Sequence, residues 1–198
     1  VLLLEERTGI EAEAHQVFEA PTVAALAAWL AADRERTASS RQPAPHAKDM
    51  PLEMLLERQR HFLVNWKGVQ MAPESFLYVR NPQGSRHPLF WCFQGFEALS
   101  KLALYLGPDQ PVVGMRSGHV IMPYTDRNVN ALAAHYAQEI CHAQPEGSIH
   151  LGGNCQGGII ARSVALELRR MQRKVDLLVL MEETDFAPYD GKVALLFG

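Results

Sequence analysis

A cysteine framed by glycines, Gly152-Gly153-Asn154-Cys155-Gln156-Gly157-Gly158, is the grouping in this sequence best suited to chemistry. A cysteine acts as a nucleophile through its thiolate, and a helix N-terminus favours that charged form. The residues before it, Ser148-Ile149-His150-Leu151, read as a short strand, and those from Ile159 onward read as a helix. A reversal between the two needs small residues two positions either side of the cysteine, and Gly153 and Gly157 supply them. Such a turn lifts the side chain clear of the sheet and aims it over the start of the helix. The backbone N–H of Gln156 then becomes a natural oxyanion donor. The bland alternative is a buried structural cysteine beside a tight turn. The predicted strand before it and helix after it favour the nucleophile.

Three further residues are candidates for the same chemistry. The run "PLFWCFQGF" reads as a strand ending in a glycine turn, and the N–H of Phe96 in that turn is the candidate second oxyanion donor. Cys92 lies inside that strand and reads as core. Glu182 is the first polar residue after Asp176-Leu177-Leu178-Val179-Leu180-Met181, at a strand end where a carboxylate would face the site. Its neighbours Glu183 and Asp185 compete for the role. Among eight histidines, most lie on helices, in linkers or behind the elbow: His61, His135 and His142 on helices, His87 before a strand, His150 within one. His119 follows Val112-Val113-Gly114-Met115 through Arg116-Ser117-Gly118, so it falls beyond a strand's C-terminal end and is the candidate base within this chain.

The elements that position these residues alternate. Apolar runs predict strands over 76–79, 89–93, 112–115, 149–152, 175–181 and 193–197, with helices over 97–106, 129–142 and 156–173. Strand, helix, strand, helix implies a mostly parallel sheet covered on both faces, and the nearly all-apolar run at 176–181 predicts a strand buried on both sides. An amphipathic helix is expected over 51–68 from Leu52, Leu55, Leu56, Phe62, Leu63 and Trp66. Together with the G-x-Cys-x-G elbow, this pattern predicts an α/β-hydrolase-like doubly wound fold over 51–198.

The rest of the chain reads differently. Residues 1–35 are rich in strong helix formers but too few to bury a core alone, and 36–50, "RTASSRQPAPHAKDM", is a polar, proline-containing linker. The 198 residues are 47% apolar with a net charge of −3 and no basic run, which favours neither nucleic acid nor a membrane surface as partner. No apolar run approaches the roughly 20 residues of a spanning helix. Residues 1–7 lack the basic leader and cleavage site of a signal peptide. Three cysteines at unpatterned spacing (Cys92, Cys141, Cys155) speak against a disulfide framework and fit a reducing cytoplasm.

On these motifs the chain resembles a type I thioesterase, the terminal release domain of non-ribosomal peptide and polyketide assembly lines. The matching pieces are "PLFWCFQGF", "GPDQPVVGMRSG", "LGGNCQGGIIARSVALEL" and "VDLLVLMEE". Glu182 falls 27 residues after Cys155 (182 − 155), where that family usually carries its triad Asp. "RTGIEAEAHQVFEAPTVAALAAWL" resembles the C-terminal part of a carrier protein, without the serine that bears phosphopantetheine. The resemblance implies a carrier domain acting in cis, upstream synthetase modules, and an acyl or peptidyl thioester substrate on a pantetheine arm. The departures are Cys in place of the common Ser, Glu in place of Asp, and no His after His150. Either the base lies beyond Gly198 in a C-terminally incomplete domain, or His119 takes the role. A cysteine keeps the acyl group activated as a thioester, which suits release by amide or lactam formation. In this it resembles the β-lactam-forming release domains of monobactam assembly lines. Hydrolytic release and a degenerate domain that only docks a carrier are the alternatives. A class I glutamine amidotransferase also uses G-x-C-x-G, but its downstream His-x-Glu pair is absent from this sequence.

Overall fold

The computed structural model describes residues 49–63, 66–95, 97–181 and 189–196, all of which fall in the unit Ala47–Gly198. The carrier-like segment 1–35, most of the linker, Phe96 and Glu182 lie outside the described residues.

Seven strands form one sheet: β1 (Val69–Gln70), β2 (Tyr78–Arg80), β3 (Leu89–Phe93), β4 (Val112–Arg116), β5 (Ile149–Asn154), β6 (Val175–Met181) and β7 (Val193–Leu196). Their order is β1-β2-β4-β3-β5-β6-β7. From β4 through β7 every pairing is parallel. β1 and β2 add an antiparallel margin beside β4. That is the α/β-hydrolase order, with helices α2 (Ala98–Leu106), α3 (Asp126–Ala143) and α4 (Gln156–Arg170) as the crossovers between parallel strands. Chain direction reverses between β3 and β5: β3 connects outward to β4, and β4 returns past β3 to β5. Ligands of such sheets bind in the crevice at the C-terminal ends of the two strands flanking that reversal. The elbow at Cys155 follows β5, and the Gln94-Gly95 turn follows β3.

The helices form where the sequence gives them a buried stripe and matched ends. In α1 (Leu52–Leu63), Leu55, Gln59 and Leu63 are buried at four-residue spacing. Glu53 sits in its first turn and Arg60 in its last, as the helix dipole favours. In α3, Val129, Leu132, Ala133, Tyr136, Ala137 and Ile140 face the core, and the Thr125 hydroxyl caps the helix by accepting from the Asn128 N–H at 3.2 Å.

Two strands carry a glycine because an indole fills its place. A Cβ on Gly114 in β4 would lie 2.5 Å from the Trp66 ring, and one on Gly152 in β5 would lie 2.5 Å from the Trp91 ring. Trp66 is also packed edge-on against Tyr78 and Phe93, each at 6.0 Å between ring centres.

Three expectations change. The strand predicted over 76–79 begins at Tyr78, because the Phe76 N–H donates to the Glu139 carboxylate at 2.9 Å instead of to a neighbouring strand. Phe76 and Leu77 remain core residues all the same. The two-residue β1 has no run long enough to predict it. β6 is not buried on both sides: Leu178 and Leu180 on one face are buried, whereas Leu177 and Val179 are half-buried and Met181 is exposed. Among the described residues, α4 is the helix that packs on it.

Candidate active site

Cys155 has φ 50° and ψ −128°, a backbone conformation that a residue with a Cβ rarely adopts. It is held there from three sides. Its N–H donates to the Met181 carbonyl of β6 at 2.9 Å, and its carbonyl accepts from the Gly158 N–H at 2.7 Å. The flanking glycines meet backbone directly. A Cβ on Gly153 would lie 2.3 Å from the Gly157 carbonyl oxygen, and a Cβ on Gly157 would lie 2.3 Å from the Cys92 carbonyl oxygen in β3. The requirement for small residues thus has two separate causes: Gly153 lets the turn close on itself, and Gly157 lets α4 seat against β3. Asn154 is fixed by the Trp91 indole, whose N–H points to its side-chain oxygen at 3.4 Å.

α4 starts at Gln156 with no side-chain cap at Cys155, which leaves its first N–H groups without a side-chain acceptor from that residue. The Cys155 thiol is half-exposed and donates to the Gln156 side-chain oxygen at 3.0 Å. The neighbouring thiol, Cys92, is fully buried, and burial pushes its pKa well above the usual thiol range. It is core, as its place within a strand implied.

Glu182 lies outside the described residues, but the residue before it does not. Met181 pairs with Asn154 in the sheet and accepts the Cys155 N–H, so β6 ends alongside the elbow. Phe96 is also outside the described residues. Gly95 before it is exposed at the end of β3, and a Cβ there would meet nothing within 4 Å.

His119 is half-buried in the loop after β4, at the C-terminal end of the parallel strands, as the elbow is. Its Nδ1 lies 2.9 Å from the Ser117 hydroxyl. Burial, with the Arg116 guanidinium nearby, holds its pKa below the usual imidazole value, so the ring is neutral at neutral pH. Among the described residues no hydrogen bond joins it to Cys155. Two described histidine pairings lie away from the elbow. His135 pairs with Glu139 at 2.8 Å, and His87 stacks on His150 at 4.6 Å near the N-terminal ends of β3 and β5.

Sequence reasoning did not find Tyr124. Its hydroxyl donates to the Ser117 carbonyl at 2.6 Å and approaches the Gln156 carbonyl at 3.3 Å. It therefore joins the His119 loop to the first turn of α4. Burial raises its pKa far above the usual phenol range, so it stays a neutral donor. The only local signal was an aromatic residue just before a helix cap. Behind it, Gln59 donates to the Arg116 carbonyl at 3.0 Å and to the Tyr136 hydroxyl at 2.7 Å, which fixes the end of β4. No group of three His, Cys, Asp or Glu among the described residues could hold a metal ion. No helix among them is long and apolar enough to cross a membrane.

The family model described as a thioesterase domain matches residues 121–186, which span α3, β5, the elbow, α4 and β6. The chain is similar to the dimodular nonribosomal peptide synthase of Bacillus subtilis (strain 168), 27% identical over 180 residues, which is 90% of this chain and 6% of that protein. It is similar to malpibaldin synthetase of Mortierella alpina, 27% identical over 186 residues, 91% of this chain and 3% of that protein. It therefore spans only a small part of the curated relatives it matches. Among solved structures, the NocB thioesterase domain from the nocardicin cluster aligns with a TM-score of 0.46 and 22% identity, covering 54% of this chain and 49% of that one.

Proposed function

We propose that residues 51–198 form a thioesterase domain that releases the product of a peptide or polyketide assembly line. The acyl or peptidyl chain arrives as a thioester on the phosphopantetheine arm of a carrier. That arm is the substrate's handle rather than a resident cofactor. The Cys155 thiolate attacks the acyl carbon, a new C–S bond forms, and the pantetheine thiolate leaves and takes up a proton. The N–H groups of Gln156 and Phe96 are the proposed donors to the intermediate oxyanion. Glu182 is the proposed acid of the triad. His119, or a histidine beyond this chain, is its proposed base.

The observation that carries this reading is the strained backbone of Cys155 at the sheet's reversal point, within the segment matched by the thioesterase model. The alignments to synthetases cover 90% of the chain, more than the 152 residues of the unit from Ala47 to Gly198 (198 − 46). That extent supports reading 1–35 as a carrier segment delivering substrate in cis from upstream modules. A thioester on Cys155 retains the activation of the incoming one, so we assign release to attack by an amine of the acyl chain. That attack forms an amide or lactam and expels the Cys155 thiolate. The His119–Ser117 contact favours a second reading, a domain that docks a carrier without turning over.

Intact-protein mass spectrometry with an acyl-pantetheine mimic separates them. Wild type should gain the acyl mass and Cys155→Ala should not. An equal shift in both, or none in either, rejects the release reading.

A further inference from the structure

The side chain of Gln156 touches the candidate nucleophile, a contact distinct from the backbone N–H already assigned to it. We propose that the Gln156 carboxamide is a two-position switch that sets the protonation of Cys155. The proposal rests on Cys155 being the nucleophile of the preceding section.

In the arrangement observed, the thiol donates to Gln156 Oε1 at 3.0 Å. That contact exists only while sulfur carries its proton, because a thiolate has nothing to donate and would face an oxygen lone pair at the same distance. A half-turn about the terminal torsion of Gln156 exchanges Oε1 for the Nε2 amino group with little change in position. The same side chain then donates N–H to the thiolate. A neutral S–H donor is weak, whereas a hydrogen bond to an ionised acceptor is roughly twice as strong as a neutral one. The two positions are therefore unequal, and Gln156 favours the charged form overall. The proton released on ionisation passes to solvent or to the base.

The backbone that carries this switch is restrained. Gln156 is the first residue of α4, its carbonyl lies 3.3 Å from the Tyr124 hydroxyl, and Gly157 behind it is wedged against β3. The carboxamide rotates while its anchor stays fixed. Gln156 thus acts as a positioning residue through Cys155.

The test needs no acyl substrate. Iodoacetamide is attacked by the thiolate, forming a C–S bond and expelling iodide, so its rate against pH reports the thiol pKa. Rates on the whole chain are measured for wild type, Gln156→Leu and Gln156→Glu, with Cys155→Ser subtracted for the other two thiols. Gln156→Leu removes both positions and should lower the rate at pH 7 about fivefold, moving its rise to higher pH. Gln156→Glu keeps an acceptor but puts a like charge beside the thiolate, and should lower the rate at least as far. Thermal melting of each variant confirms that it folds. A variant that melts with wild type but alkylates as fast, along an unshifted pH profile, overturns the switch. That result would leave the release reading intact, whereas a wild type that takes up no acyl group while its Gln156 variants alkylate more slowly than it does would reject release and leave the switch.

Discussion

Replacing Gly157 by alanine tests whether the elbow is built on a backbone-to-backbone contact. The new Cβ would lie 2.3 Å from the Cys92 oxygen and 2.9 Å from the Cys92 carbonyl carbon. Ordinary contact begins near 3.4 Å, so α4 and β3 must separate by about 1.1 Å (3.4 − 2.3). No side chain can rotate to relieve the overlap, since both partners are main chain. Overpacking of a core costs about 1–3 kcal/mol, and the upper end applies here. With a urea slope of about 1.5–2 kcal/mol/M for a chain of this size, the unfolding midpoint should fall by roughly 1.5–2 M. Two other glycines separate this from general effects of alanine. Gly107 has φ 86° and ψ 168°, a conformation essentially confined to glycine, with nothing within 4 Å of its Cβ position, so alanine there meets only conformational strain, about 1–3 kcal/mol. Gly95 has neither crowding nor positive φ, and alanine there should change stability by less than about 0.5 kcal/mol. If Gly157→Ala costs no more than Gly95→Ala, the contact with Cys92 does not set the elbow.

The remaining predictions concern the same region and its support. Cys155→Gly should raise stability by about 1 kcal/mol in urea unfolding, because it relieves the backbone strain at φ 50°, while abolishing acylation; a lower midpoint would contradict the strain. Tyr124→Phe deletes the hydroxyl that joins the Ser117 and Gln156 carbonyls, and should cost about 1 kcal/mol by the same measurement; no change would mean that the two segments hold each other without it. Burial alone would raise the Glu139 pKa, but hydrogen bonds from His135, Ser75 and the Phe76 N–H more than offset it, so the folded value lies below 4.5. A depressed carboxylate stabilises the fold above its unfolded pKa, and that contribution is lost as pH falls from about 4.5 through the folded value. Glu139→Gln should therefore flatten the acid limb of stability against pH, and an unchanged limb would show that the network is not what acid breaks.

The elbow was legible because glycine spacing is a local signal of a local need: Gly153 and Gly157 sit where a side chain would strike backbone. The alternation of apolar runs gave the parallel part of the sheet for a similar reason, since each strand and each crossover helix writes its own pattern. What failed depended on partners distant in sequence. Glu139 takes the Phe76 N–H from 63 residues away and so delays β2. β1 is two residues long and owes its pairing to β2. β6 reads as doubly buried because apolarity does not say how many helices will cover it. Tyr124 acts on Gln156 from 32 residues away, through a hydroxyl that no spacing rule could assign. Gly114 and Gly152 read as ordinary strand glycines until the indoles that fill their places are known.

Those two indoles also make the molecule its own spectroscopic probe. Trp91 is one sheet neighbour from the nucleophile, and its ring nitrogen is directed at Asn154, the residue just before Cys155. Trp66 lies beyond β3 with the Arg116 guanidinium 5.6 Å from its ring centre. The third tryptophan, Trp29, lies in the carrier-like segment. Replacing Trp29 and Trp66 by phenylalanine leaves one emitter whose colour and lifetime follow the dipoles around the elbow. Loading and release of an acyl group would then be visible in a stopped-flow trace without any label on the substrate.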